Sequence, residues 1–165
     1  MQQPEPWLRG PLQDVHPLVQ PVFFSFALVR EDLARHVAGI SRQHVWRPCA
    51  GASIGFHLKH LAGSVDRLTT YALGRQLSEA QLRAFHEEQS GDEDADALLR
   101  VIEETLSRAE AQLRGIDTEQ MYAARSVGRR QLPTTVLGLL VHIAEHTQRH
   151  LGQAITTAKV VRDVG

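Results

Sequence analysis

Apolar residues recur at alternating spacings of three and four positions along much of this chain. This spacing places side chains on one face of an α-helix, which can then be buried against neighbouring elements. The four stretches that follow the pattern are residues 18–39, 53–74, 92–114 and 134–159. The apolar face of the first stretch consists of Val22, Phe26, Val29, Leu33 and Val37, and Ile40 continues it just beyond residue 39. The pattern predicts four long amphipathic helices that share one core.

The connections between the predicted helices are polar, and one of them is long. Residues 75–91 connect the second helix to the third, and residues 78–81 have the spacing of a capping box, which predicts a short helix at about 79–87. A connection of this length favours a crossover along the bundle over a hairpin. Residues 117–132 lack helical spacing, and we expect a tight turn or small hairpin at 127–130.

A proline-rich segment, residues 1–17, precedes the first predicted helix. Each of its prolines removes a backbone donor and fixes φ, so we expect an extended arm. Trp7 and Leu8 are the residues expected to hold this arm against the body of the protein or against a second subunit. Residues 18–160 are expected to form a single domain of the all-α class, a four-helix bundle.

Composition excludes several classes of protein. The chain of 165 residues has a formal net charge of −1 with both signs mixed along it, which argues against a dedicated nucleic-acid or anionic-membrane surface. Its one cysteine, Cys49, permits no internal disulfide. Neither a secretory signal nor an apolar run of the roughly 18 residues that a membrane span needs is visible. We therefore expect a cytoplasmic protein.

Nine histidines are many for this length, and five of them fall in two clusters. His142, His146 and His150 are four residues apart on the predicted fourth helix, without an interrupting Gly or Pro. His57 and His60 lie on the predicted second helix. Residues four apart lie on nearly the same face of a helix, so two neighbouring rings can hold one ion. A third ligand would then come from elsewhere in the chain.

A histidine on an apolar helix face is more often a core residue bonded to a backbone carbonyl than a metal ligand. We interpret the four isolated histidines as surface or loop residues: His16, His36, His44 and His86. The fourth helix differs, because His150 lies on its apolar face with His146 beside it, and burial of both rings is costly unless both are satisfied. A divalent ion satisfies both and suits imidazole nitrogen. His142 is expected to face outward.

Residues His142 to His146 also fit the H-x-x-E-H pattern of inverted zinc peptidases. Those enzymes need a further acidic ligand far downstream, whereas only 19 residues follow His146. Glu145 also points about 100° away from His146 on a helical wheel. We interpret the match as chance. A phosphate-binding glycine loop and a nucleophile elbow are absent from the sequence, and Cys49 has no close charged activator.

Two motifs resemble those of the DinB/YfiT-like superfamily. They are His60-Leu61-Ala62-Gly63, and the H-x-x-x-H of His146 and His150 followed by the pair Gly152-Gln153. The resemblance extends over about residues 18–158 in the order of elements. It implies an up-down-down-up four-helix bundle with a long crossover between helices two and three, and commonly a homodimer. It also implies one divalent metal ion, most often zinc or nickel, held by His60, His146 and His150. His57, nearer the inferred seam, is left as a supporting residue or substitute ligand.

The resemblance also implies a range of functions. Characterised relatives include bacillithiol S-transferases and a mycothiol-dependent isomerase, and others are described as metal-dependent hydrolases. We expect a metal-dependent enzyme that acts on a small-molecule substrate and activates a low-molecular-weight thiol or a metal-bound water. The alternative is a non-catalytic, metal-binding dimeric scaffold or stress protein. Ser64 and Arg67 follow His60 by about one and two turns, where they either contact substrate or face the surface. No catalytic side chain is assigned.

Overall fold

The computed structural model describes residues 3–49 and 51–163, and in these residues it contains six α-helices and one β-hairpin. The helices are α1 (Gln20–His36), α2 (Arg42–Val45), α3 (Ile54–Ala72), α4 (Glu79–His86), α5 (Ala95–Arg114) and α6 (Val136–Asp163). The antiparallel strands β1 (Ala124–Val127) and β2 (Leu132–Thr135) form the hairpin. Among the described residues, none of these helices is long and apolar enough to cross a membrane.

The four long helices α1, α3, α5 and α6 form a bundle in which α3 packs against both α5 and α6, and α1 packs against α6. Paired residues run in opposite order along α3 and α6: His57 with His150, and His60 with His146. They run in the same order along α3 and the α5 region: Lys59 with Glu93, and Asp66 with Arg108. They run in opposite order along α1 and α5: Gly39 with Asp96, and Arg30 with Glu110. The expected up-down-down-up order is confirmed.

The core of the bundle is formed by the apolar faces that the periodicity predicts. All six residues of the predicted first face are buried, with Phe26, Val29 and Val37 completely so. Leu58, Leu106 and Ile143 extend the same core through α3, α5 and α6. Full burial of such a side chain stabilises the fold by about 1.5–3 kcal/mol. The bundle is therefore held mainly by its apolar faces.

The ends of the helices follow local signals. The Ser53 hydroxyl accepts a hydrogen bond from the N–H of Phe56 at 3.0 Å and caps α3. Asp94 caps α5 in the same way, which explains why that helix begins a little after residue 92. The hairpin expected near 127–130 is present, with Gly128 at a φ of +70° in its turn. The short helix α2, capped by Ser41, was not predicted.

The arm before α1 lies against that helix. The short 3-10 turn Pro6–Leu8 packs on α1 with Pro6 buried, while Trp7 and Leu8 are each 56% exposed. The guanidinium of Arg9 also donates two hydrogen bonds to the carboxylate of Glu31 on α1, at 2.6 and 2.9 Å. This forked pair of charged groups helps to fix the arm.

Candidate metal centre

The two histidine clusters meet between α3 and α6. One ring nitrogen from each of His60, His146 and His150 lies within 4.8 Å of the other two. The Nε2 atoms of His60 and His146 are 3.1 Å apart, and the ring centroids of His60 and His150 are 4.5 Å apart. The structure thus brings together the three residues that the family resemblance names. They form a buried or half-buried cluster that could bind a metal ion.

The antiparallel packing of α3 and α6 produces this convergence. His146 and His150 occupy successive turns of α6, and their ring centroids are 4.6 Å apart. His150 is buried on the core side of the helix, as its place in the apolar pattern predicts. Across the seam, the ring of Phe56 stacks on His60 at a centroid distance of 5.4 Å. Each ring is therefore held by packing against neighbouring side chains.

Glu88, which follows α4 in the crossover, orients His60. Its Oε2 lies 2.6 Å from His60 Nδ1, and its Oε1 accepts a hydrogen bond from Arg67 Nη1 at 2.6 Å. The carboxylate is only 4% exposed although it belongs to a polar connection. An ionised carboxylate accepts and does not donate, so the His60 tautomer with its proton on Nδ1 fits this contact. That tautomer leaves a lone pair on His60 Nε2, the atom that faces His146.

Gly63, in the motif that carries the resemblance, makes room for this carboxylate. A Cβ at this position would collide with Glu88 Oε1 and would lie 2.6 Å from Arg67 Nη1. The glycine therefore allows the ion pair of Glu88 and Arg67 to lie directly against α3. Its role is steric, because its backbone is that of an ordinary helix.

His57 supports His150. The two Nδ1 atoms are 3.2 Å apart in a buried contact. One of these nitrogens must donate and the other accept, and donation by His150 leaves its Nε2 free as a ligand atom. Among the described residues, His57 is not part of the three-ring group. Of the two roles that the sequence left open for His57, the geometry favours support.

His146 is incompletely satisfied by protein groups. Its Nδ1 is buried and has no hydrogen-bond partner among the described residues. Its Nε2 faces His60 Nε2 and also lies 3.3 Å from the hydroxyl oxygen of Ser64. Buried polar atoms without partners are rare and call for an explanation, such as a ligand at the site.

Burial favours the neutral form of His146 and His150. Desolvation, followed by the charge of neighbouring His60, lowers the pKa of His146 to about 4 and that of His150 to about 3. The pKa of His57 is lowered by the same two causes. Neutral imidazole carries the lone pair that a metal ion requires. Near neutral pH, His146 and His150 are therefore in the ligand-competent form.

The remaining histidines lie outside the cluster. His142 faces outward as predicted: its side chain is 46% exposed, and its Nδ1 lies 2.6 Å from Glu145 Oε1. His142, Glu145 and His146 also offer ligand atoms within 4.8 Å of one another. However, Glu145 is exposed and pairs with Arg149 at 2.8 Å, so this trio is less shielded than the inner one. The four isolated histidines are exposed or half-buried and join neither group.

A cavity of about 340 Å³ opens beside the cluster and touches His60 and His146. Ser64 and Arg67 both line it. Ser64 is buried and the Arg67 side chain is only 12% exposed, so the alternative in which both face the surface is wrong. The guanidinium of Arg67 is already bound to Glu88, which leaves Ser64 as the freer polar group at this position.

The fold and the site define an all-α bundle with a histidine cluster between its second and fourth long helices. The chain belongs to the DinB superfamily, whose family profile matches residues 25–154. Among solved structures it resembles one described as "Crystal structure of the conserved protein of locus from Enterococcus faecalis", with 13% identity and a TM-score of 0.66. The match covers 88% of this chain and 95% of that one, and at this identity it shows the fold alone. No match was found among curated proteins.

Glu88 is the residue of the site that sequence reasoning missed. It lies at the end of a polar connection, beside Glu87, and the two differ only in exposure: Glu87 is exposed and Glu88 is buried. Local sequence contains no signal that separates them. The carboxylate becomes important only when the crossover folds back onto α3.

Proposed function

We propose that this protein is a metal-dependent enzyme in which His60, His146 and His150 hold one divalent ion, zinc or nickel. The observation that carries the proposal is the convergence of three buried or half-buried imidazoles, two of which are oriented through their outer nitrogens by Glu88 and His57. Zn–N bonds of 2.0–2.1 Å in a tetrahedron place ligand nitrogens about 3.3 Å apart. The separation of 3.1 Å between His60 Nε2 and His146 Nε2 is close to that value. The donor set therefore fits the ion.

When bound, an ion with three protein ligands keeps an open position and lowers the pKa of a thiol or water there. The chain's own residues prepare that position. Glu88 holds the proton of His60 on Nδ1, so that Nε2 is presented to the site. Ser64 offers a hydroxyl 3.3 Å from His146 Nε2, where it can donate to or accept from a bound group. The cavity beside these residues is lined mainly by apolar surface.

The lining of the cavity favours a thiol nucleophile over water. Hydrolysis by an activated water is generally assisted by a side chain that accepts a proton. The described residues that line the cavity include no aspartate or glutamate, and His142, the lining histidine outside the three-ring group, has its Nδ1 engaged by Glu145 at 2.6 Å. The carboxylate of Glu88 is occupied by both His60 and Arg67. We therefore favour a low-molecular-weight thiol as cosubstrate, in an S-transferase or thiol-dependent isomerase, over the hydrolase alternative.

The proposal includes the remaining expectations from sequence. Residues 18–160 would act as one cytoplasmic domain, preceded by the arm of residues 1–17. The protein would form a homodimer, in which the exposed Trp7 and Leu8 are the arm's candidates for contact with the second subunit.

The test begins with untagged protein, since a histidine tag would itself bind nickel. Elemental analysis is expected to find about one zinc or nickel ion per chain. Metal-loaded protein should then conjugate one member of a thiol panel to monochlorobimane, and His146→Ala should abolish the reaction. His36→Ala, at a half-buried histidine on α1 that neither lines the cavity nor joins the cluster, should leave it unchanged.

The outcomes separate the candidate functions. Conjugation that survives complete chelation would contradict the metal–thiol proposal. Bound metal without conjugation of any thiol would support the scaffold alternative. Purified protein that neither contains nor takes up metal would show that the cluster is only packing.

A further inference from the structure

A second cavity, of about 530 Å³, adjoins the one beside the histidines. The two share four lining residues: Leu82, Phe85, Val127 and Gly128. Together they form one cleft between α4 and the β-hairpin, with His60 and His146 at its inner end and the hairpin turn at its outer end. We refer to this as the α4–hairpin cleft. Each cavity lies within the range of about 300–1,000 Å³ that is typical of small-molecule sites.

Apolar side chains form most of the walls of the α4–hairpin cleft. Leu82 and Phe85 on α4 are 47% and 46% exposed, and Leu132 on β2 is 52% exposed. Helix α4 has no buried residue, so its apolar side chains are directed to the cleft and to solvent, not to the bundle core. Exposed apolar surface concentrated beside a candidate catalytic site is characteristic of a binding surface.

The outer end of the cleft is positively charged. Arg129 and Arg130 lie in the hairpin turn, line the outer cavity and are exposed. Within the part of the chain that the structure describes, neither makes a salt bridge or a side-chain hydrogen bond. No aspartate or glutamate is among the described residues that line either cavity. In a chain with 19 acidic residues and a net charge of −1, this is a local separation of charge.

We propose that the α4–hairpin cleft binds a substrate with an aryl or alkyl body and a carboxylate at the end farther from the histidines. The apolar body would lie against Leu82 and Phe85, and the carboxylate would be bound by Arg129 and Arg130. Arginine suits this role because its planar fork matches a carboxylate. The placement of the reactive end at the histidines rests on the proposed function. The binding of body and carboxylate does not, because those walls lie outside the histidine cluster.

The test compares 4-phenylbutanoate with 4-phenylbutan-1-ol, which has the same body without the charge. Titrations followed by NMR or calorimetry use both metal-free and zinc-loaded protein. The acid is expected to bind about tenfold more tightly than the alcohol, as two partly exposed charge pairs allow. The double variant Arg129→Gln/Arg130→Gln should reduce the affinity for the acid to that for the alcohol. Its affinity for the alcohol should not change.

Two controls make the result specific. Arg83→Gln removes a charge from α4 that pairs with Glu79 and does not line the cleft, so binding of the acid should not change. Phe85→Ser should weaken the binding of the acid and of the alcohol alike. Val141→Ser, at an exposed position on α6 that lines neither cavity, should weaken the binding of neither ligand. Circular dichroism of each variant checks that the helices are retained.

The proposal would be overturned if the acid and the alcohol bind with equal affinity or if neither binds. It would also be overturned if the double variant leaves the affinity for the acid unchanged. A dimer that dissociates in Phe85→Ser would also overturn it, because the cleft would then be covered by a second copy of the chain. The proposed function fails separately. His150→Ala, which removes a proposed ligand that lines neither cavity, should lose metal while it still binds the acid, so either result can be obtained without the other.

Discussion

Helix α6 buries polar groups on two sides, and the two sides are satisfied in different ways. Toward α1, the side-chain amide of Gln148 donates hydrogen bonds to the carbonyl and the hydroxyl oxygen of Ser25, and that hydroxyl donates to the Ala144 carbonyl. Toward α3, His146 has one nitrogen without a partner and another that faces a second ring nitrogen. The first contact is complete within the protein. In the second, an ion held between the rings would satisfy the two facing Nε2 atoms, and Nδ1 of His146 would still lack a partner.

The contrast shows how buried polarity distinguishes structure from function in this bundle. A satisfied polar contact adds specificity to packing at little cost, whereas an unsatisfied one lowers stability. The apolar interior around α1 therefore stabilises the fold, and the histidine seam between α3 and α6 reduces stability in the absence of a ligand. The predictions that follow test this difference, from the largest effect to the smallest.

Truncation of the apolar interior is expected to have the largest effect. Phe26 on α1 is fully buried, so Phe26→Ala should lower the free energy of unfolding by about 3–5 kcal/mol. The loss should be the same with and without zinc, because α1 contributes none of the clustered histidines. Urea titrations of metal-free and zinc-loaded protein measure both values. A loss below about 1 kcal/mol would mean that this interior is not the main source of stability.

Removal of the charge that orients His60 should have a smaller effect, which is confined to the affinity for the metal ion. Glu88→Gln keeps the shape of the side chain but weakens the contact with His60 Nδ1. Loss of such a supporting group typically lowers metal affinity about 10–100-fold. Competition with a chromophoric chelator measures the change. Glu87→Gln, at the exposed neighbouring position, is the matched control, and equal losses in both variants would contradict the role of Glu88.

The smallest effect concerns the pH dependence of the metal-free protein. The folded pKa values of His146 and His150, about 4 and about 3, lie below the ordinary value of 6.5. Between pH 6.5 and about 4, the unfolded chain therefore binds more protons than the folded chain, so acid destabilises the fold in this range. Urea titrations over the same range should show a shallower fall of stability with acid in His146→Leu. An identical pH dependence in both proteins would contradict the burial of this ring.

Much of the fold follows from sequence periodicity, because each long helix has a continuous apolar face. His150 was recognised as a buried residue for the same reason, and the spacing of His146 and His150 placed their rings together. The choice of His60 over His57 did not follow from periodicity, since α3 is apolar on several faces. It came from the family resemblance, and the structure places His60 in the three-ring group.

The rest of the site depends on contacts between distant segments. The burial of Glu88 arises from the way the crossover folds back onto α3, which no local pattern describes. The same holds for Arg67: its spacing from His60 was visible, but its ion pair with Glu88 was not. The cleft likewise forms only where α4 and the hairpin approach each other. Residues that act across such contacts become apparent only in three dimensions.

The central claim is that the histidine seam is completed by a metal ion, and one comparison tests it most directly. It is the free energy of unfolding of wild type and His146→Leu, each with and without zinc. Zinc at 100 times its dissociation constant should stabilise wild type by about 2.7 kcal/mol. It should have no effect on His146→Leu, which should be as stable as metal-free wild type or slightly more so. Equal stabilisation of both proteins, or a metal-free variant as unstable as Phe26→Ala, would contradict the account.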